Sequence, residues 1–95
     1  MYKYYLTFDA EKDIDRIFDY GLGQFGISQA LKYYDMIFQS FDEIARNPYM
    51  FPTVQRLRNV ERYSVCGVDT IFFNVVGNEI EIVAIIGRQN FQDAH

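Results

Sequence analysis

Arg56, Arg58, Arg62 and Arg88, the sole histidine His95 and the sole cysteine Cys66 are the side chains of this sequence best equipped for chemistry. Their spacing suits little of it. One histidine and one distant cysteine, without a glycine-rich phosphate loop, leave no hydrolytic triad, metal cluster or nucleotide cradle. His95 could titrate near neutrality, but it is the last residue of the chain and is expected to fray into solvent. Cys66 has neither a partner for an internal disulfide nor a second metal ligand nearby, and reads as a small buried or half-buried hydrophobe. No cofactor and no metal are expected.

The arginines fit contact better than bond-making. Arg88 ends a strongly apolar run, Ile82 to Ile86, and a guanidinium there suits a partner's carboxylate or serves as a plain surface cation. Arg56, Arg58 and Arg62 stand on the loop and strand before it, with Tyr63 beside them. By strand alternation only one of Phe72 and Phe73 can face a helical layer, and the outward one is a candidate docking aromatic. Asp9, Glu11, Asp13 and Asp15 could mimic phosphate or meet a basic partner, and a solvated helix face is the simpler reading.

These residues need elements to hold them. Tyr2 to Phe8 is rich in strand formers, and Asp9 then offers a carboxylate to cap a helix. Ala10, Ile14, Ile17, Phe18, Leu22 and Phe25 recur at steps of three and four, opposite Glu11, Lys12, Asp13, Asp15, Arg16 and Asp19. That spacing predicts an amphipathic helix, softened by Gly21 and Gly23 and stopped at Gly26. Ser28 is placed to cap a second helix. Its buried stripe uses Ala30 or Leu31, then Tyr34, Ile37, Phe38, Phe41, Ile44 and Ala45, until Asn47-Pro48 forbids continuation. Tyr49 to Asn59 reads as a loop in which Gln55, Arg56 and Arg58 are exposed. Val60 to Cys66, Asp69 to Val76 and Glu79 to Ile86 read as strands joined by turns at Gly67 and Gly77-Asn78.

The fold class is therefore α+β: an N-terminal strand, a helical hairpin, then an antiparallel three-stranded meander, in a single domain spanning residues 1–95. One layer of helices covers one sheet face and leaves the other open. Aromatics make up 18% of the chain, nine Phe and eight Tyr, which is more than so small a core can hide, so some are expected to face a partner. The formal charge of −4 argues against a nonspecific grip on nucleic acid, although the arginines of the second half allow a local basic face. With no signal peptide at Met1 to Ala10 and no apolar run long enough to cross a bilayer, the chain is expected to be soluble and cytoplasmic, with no membrane partner.

Four stretches, in order, carry a resemblance. They are Tyr4-Tyr5-Leu6-Thr7 leading to Ala10 and Asp13-Ile14; Phe25-Gly26 before Gln29-Ala30; Ile44-Ala45-Arg46-Asn47-Pro48; and Ile82-Val83-Ala84-Ile85-Ile86-Gly87-Arg88-Gln89-Asn90. Together they resemble the superfamily of bacterial type II toxin–antitoxin toxins that contains RelE and ParE, and the ParE branch more closely, over nearly the whole chain. The resemblance implies a toxin encoded beside a small antitoxin whose C-terminal segment wraps it, forming a hetero-oligomer. ParE proteins block DNA gyrase so that cleaved DNA accumulates, without sequence-specific nucleic-acid binding of their own, whereas RelE proteins cut messenger RNA on the ribosome.

The enzyme branch needs a general base, a general acid and cations over the phosphate. Where RelE-like enzymes place Lys and Arg on the central strands, this chain offers Arg62 and Ser64, then Asp69, Thr70 and Phe72. After Gly87 it offers Arg88, Gln89, Asn90 and Phe91, with His95 about where their terminal Tyr or His stands. A reduced catalytic set of Arg62, Arg88 and His95 is the alternative. The main reading has no catalytic residues, and takes Arg56, Arg58, Arg62, Tyr63, Arg88, Gln89, Asn90 and Phe91 as partner contacts. The acidic charge departs from the often basic members of the family.

Overall fold

The computed structural model describes residues 1–55 and 59–87. Strand β1 (Lys3–Leu6) leads into helices α1 (Phe8–Phe25) and α2 (Ile27–Arg46), then a 3-10 turn (Pro48–Met50), and then strands β2 (Arg62–Cys66), β3 (Asp69–Val76) and β4 (Glu79–Gly87). The sheet order is β1-β4-β3-β2, with β1 parallel to β4 and the other pairs antiparallel, so the α+β expectation holds in a mixed sheet.

Helix α1 starts two residues earlier than its sequence suggests, at Phe8 and not Ala10, because Thr7 and not Asp9 is the cap. The Thr7 hydroxyl oxygen accepts from the Ala10 amide at 3.1 Å and donates to the Val83 carbonyl at 2.8 Å, tying the helix start to β4. Asp9 and Glu11 then lie in the first turn, where the helix dipole favours negative charge. Gly26 stops α1 as expected, in a left-handed conformation (φ 85°) that costs glycine little, and its amide donates to the Leu22 carbonyl. Gly26 also begins α2, so Ser28 lies inside the helix and makes no cap.

The buried stripe of α2 runs through Ala30, Ile37, Phe41, Ile44 and Ala45, with Leu31 turned outward. Ala30 rather than Leu31 faces inward because α1 passes close by. A Cβ on Gly21 would come within 3.3 Å of the Ala30 Cβ, so small residues on both helices set their separation. From the sheet, Ile71, Phe73, Ile80, Ile82 and Ile85 meet this stripe together with Ala10, Ile14 and Cys66. Truncating a side chain as fully enclosed as Phe41 or Phe73 costs about 3–5 kcal/mol.

Strand β4 carries one irregularity. Phe72 pairs with Ala84 and Phe73 with Ile82, which leaves Val83 as an extra residue. The bulge allows Ile82 and Ile85, three residues apart, both to face the helices.

Candidate partner-binding surfaces

Four features set the geometry of the exposed surfaces: the segment leading into β2, the outer sheet face, the edge of β4 beyond the end of β1, and the line of rings between the helices. Arg62 opens β2 on the helical side of the sheet, opposite Phe73. Its Nη1 donates to the Phe51 carbonyl at 2.7 Å, and its guanidinium stacks 5.1 Å from the Tyr49 ring. The buried Nε has no hydrogen-bond partner among the described residues. Arg62 is thus engaged within the fold, holding the 3-10 turn against β2. Within the expected loop, the described residues Tyr49 to Gln55 are correspondingly less irregular than expected. Thr53 bridges Arg62, the Val54 amide donates to the Glu61 carbonyl at 2.8 Å, and the Tyr63 amide donates to the Pro52 carbonyl at 3.1 Å.

Asn74 on β3 fixes the far end of this segment. Its Oδ1 accepts from the Glu61 amide at 2.7 Å, and its Nδ2 donates to the Asn59 carbonyl at 2.8 Å and to Glu81 Oε1 at 3.0 Å. Asn59 adopts positive φ (63°), which asparagine tolerates better than most residues. The paired stem delays the start of β2 to Arg62, two residues beyond Val60.

Tyr63 lies on the outer face of the sheet, opposite Phe72, with ring centroids 6.5 Å apart. Alternation holds, since Phe73 faces the helices and Phe72 faces outward. The docking expectation for the outward ring fails, however, because Phe72 is only 6% exposed. Val65 at 53%, Val76 at 51% and Tyr5 at 39% are open on that face. Arg56, Arg58, Arg88, Gln89, Asn90, Phe91 and His95 lie outside the described residues.

Two arrangements escaped the sequence reading. Asp13 does not belong to a solvated helix face: its Oδ2 accepts from the Ile85 amide at 2.9 Å, while Arg16 Nη2 donates to the Ile85 carbonyl at 3.1 Å and lies 3.6 Å from Asp13. These two side chains complete the β4 edge beyond the end of β1. The acid–base pair at i, i+3 was the available signal. Tyr33, rather than Tyr34, is the α2 tyrosine turned to the sheet, where it reaches Cys66 and Asp69 at the β2–β3 turn. Burial, then the hydrogen bond to Asp69 and the charge of Asp69, push its phenol well above the usual range. Its spacing from Ala30 and Ile37 was the readable sign. Burial also raises the Cys66 thiol, as do Asp69 and Glu43, against a lowering hydrogen bond from Ser40. A raised, buried thiol is a poor nucleophile.

Between the helices runs a line of rings: Phe18 to Tyr34 at 5.8 Å, Tyr34 to Phe38 at 4.8 Å, Phe38 to Phe41 at 5.1 Å and Phe41 to Tyr4 at 5.3 Å. Leu22, Phe25, Ile27, Leu31 and Tyr34 are exposed around it, which corrects the expectation that Leu22, Phe25 and Tyr34 are buried. Among the described residues no group of three or more His, Cys, Asp and Glu could hold a metal ion. No described helix is long and apolar enough to cross a membrane.

This architecture, a helical hairpin laid on a four-stranded mixed sheet, is similar to that of a solved chain described as the chromosomal ParDE TA system from P. aeruginosa. The TM-score is 0.80 at 23% identity, covering 92% of this chain and 96% of that one, which is a likeness of fold. No curated protein matches. The model of the family described as "ParE toxin of type II toxin-antitoxin system, parDE" matches residues 4–90. The chain belongs to the ParE toxin family of type II toxin–antitoxin systems.

Proposed function

We propose that this ParE-family toxin acts in the cytoplasm by binding DNA gyrase and stalling it with cleaved DNA, and that a cognate antitoxin neutralises it. The family match over residues 4–90 is the observation that carries this reading. The local geometry is in keeping with it. A ribonuclease would need cations free to meet a phosphate, and Arg62 at the start of β2 is bonded to Phe51 and stacked on Tyr49. Inhibition by contact needs a complementary surface and no acid–base pair.

Tyr63, on the outer sheet face, is the described residue best placed as a contact, and Arg56, Arg58, Arg88, Gln89, Asn90 and Phe91 are the further contacts proposed from sequence. Arg62 would act by holding the segment that precedes β2. The experiment adds purified toxin to gyrase and to translating ribosomes. Lost supercoiling with accumulated cleaved DNA supports the proposal, and cut message with gyrase unaffected replaces it with the endonuclease.

A further inference from the structure

Strand β1 covers only part of the β4 edge. Its pairing with β4 ends at Leu6 and Ile82, whereas β4 continues to Gly87. Along that remainder the start of α1 supplies side chains where a neighbouring strand would supply backbone. The Thr7 hydroxyl donates to the Val83 carbonyl at 2.8 Å, Asp13 Oδ2 accepts from the Ile85 amide at 2.9 Å, and Arg16 Nη2 donates to the Ile85 carbonyl at 3.1 Å. Arg16 Nη2 also lies 3.6 Å from Asp13 Oδ1, so the two side chains brace each other. This edge is at the surface, since the Arg16 side chain is 47% exposed.

The strand behind this cover is strongly inclined to pair. Ile82-Val83-Ala84-Ile85-Ile86 has no charge, no proline and no glycine, and all its residues but Ala84 are β-branched. An open edge of that composition is a template for another strand. The geometry also points to which strand. In an antiparallel ladder, two residues directly opposite each other exchange both N–H···O=C bonds. The groups capped by Asp13 and Arg16 are the N–H and the C=O of one residue, Ile85. Ile85 of a second copy, related by a two-fold axis, offers an acceptor where the Asp13 carboxylate stands and a donor where the Arg16 guanidinium stands. Val83 and Gly87 would then face each other on both sides of the axis, so no like charges meet.

We propose that the β4 edge at Ile85 is a pairing site for the same edge of a second copy, and that Asp13 and Arg16 keep it closed. The inference concerns the toxin alone and holds whichever macromolecule the toxin acts on.

The test compares the full toxin with its Asp13→Ala/Arg16→Ala variant from micromolar to millimolar concentration, with mass read by sedimentation and amide exchange read residue by residue. At the lowest concentration the Ile85 amide of the variant should exchange on the order of tenfold faster than in wild type, while Ile71 and Phe73 in the central strand keep their protection. Raising the concentration should double the mass and restore protection at Ile85. Wild type and Asp13→Asn, whose side-chain oxygen still accepts from Ile85, should hold that protection at every concentration. Exchange at Ile85 that the variant leaves unchanged, or that stays fast at every concentration, overturns the inference. So does wild-type protection that itself rises with concentration. Association that leaves Ile85 unprotected places the contact elsewhere and also overturns it. Lost protection at Ile71 and Phe73 would mean that the double variant has unfolded, and Asp13→Ala with Arg16 in place is then judged by the same readings.

Discussion

The Tyr33 hydroxyl lies 2.7 Å from Asp69 Oδ2 and 2.8 Å from the Cys66 carbonyl, so one phenol on α2 closes the turn between β2 and β3. Asp69 is only 4% exposed, and a carboxylate so enclosed needs a donor. Tyr33→Phe removes it and should cost about 1–3 kcal/mol in urea unfolding at pH 7. The phenol's pKa is raised in the folded chain, so its stabilisation is complete below the ordinary tyrosine pKa and is lost as pH rises through the folded value. Wild type should therefore lose more stability above about pH 10 than Tyr33→Phe does. Parallel losses in the two proteins would contradict this role.

Gly67, at the same turn, has φ of 59°, and a Cβ there would approach the Tyr33 ring to 2.7 Å. Gly67→Ala should cost about 1–2 kcal/mol for the backbone alone, and more for the clash. A double-mutant cycle separates the two. In a Tyr33→Ala background the second part should vanish, and strict additivity would show that ring and turn do not touch.

Asp13 and Arg16 replace a strand at the β4 edge. Asp13→Ala leaves the Ile85 amide without its acceptor, so that amide should exchange markedly faster while Ile80 and Ile82 keep their protection. A loss of about 1–3 kcal/mol is expected. Unchanged exchange at Ile85 would mean that packing of α1 alone shields the edge.

Asn74→Asp retains an acceptor for the Glu61 amide but removes the donor to Asn59 and sets a second carboxylate against Glu81. It should be less stable than Asn74→Ser at pH 7, and the gap should close in acid as the carboxylates protonate. A gap that is constant with pH would rule out the electrostatic part.

Element types and order were legible in the sequence because period and punctuation agreed. Gly26 ended α1, Asn47-Pro48 ended α2, and Gly67 and Gly77 turned the hairpins. Caps were less legible, since Thr7 and Asp9 both suit a helix start and only the Val83 carbonyl favours Thr7. Tyr33 and Tyr34 both fit a helical stripe, and the choice between them depends on where Asp69 lies across the sheet. The burial of outward-facing Phe72 likewise belongs to tertiary structure, which alternation does not encode. The acids of α1 were visible as a cluster, but the division between Asp13, bonded to the Ile85 amide, and the exposed Asp9, Glu11, Asp15 and Asp19 appears only once α1 is packed on the sheet.

Purified gyrase, assayed for supercoiling and cleaved DNA with increasing toxin, tests the central proposal most directly. Supercoiling should fall and cleaved DNA accumulate, with translating ribosomes leaving their message intact at the same toxin concentration. Unimpaired gyrase alongside message cut in the ribosome would contradict it.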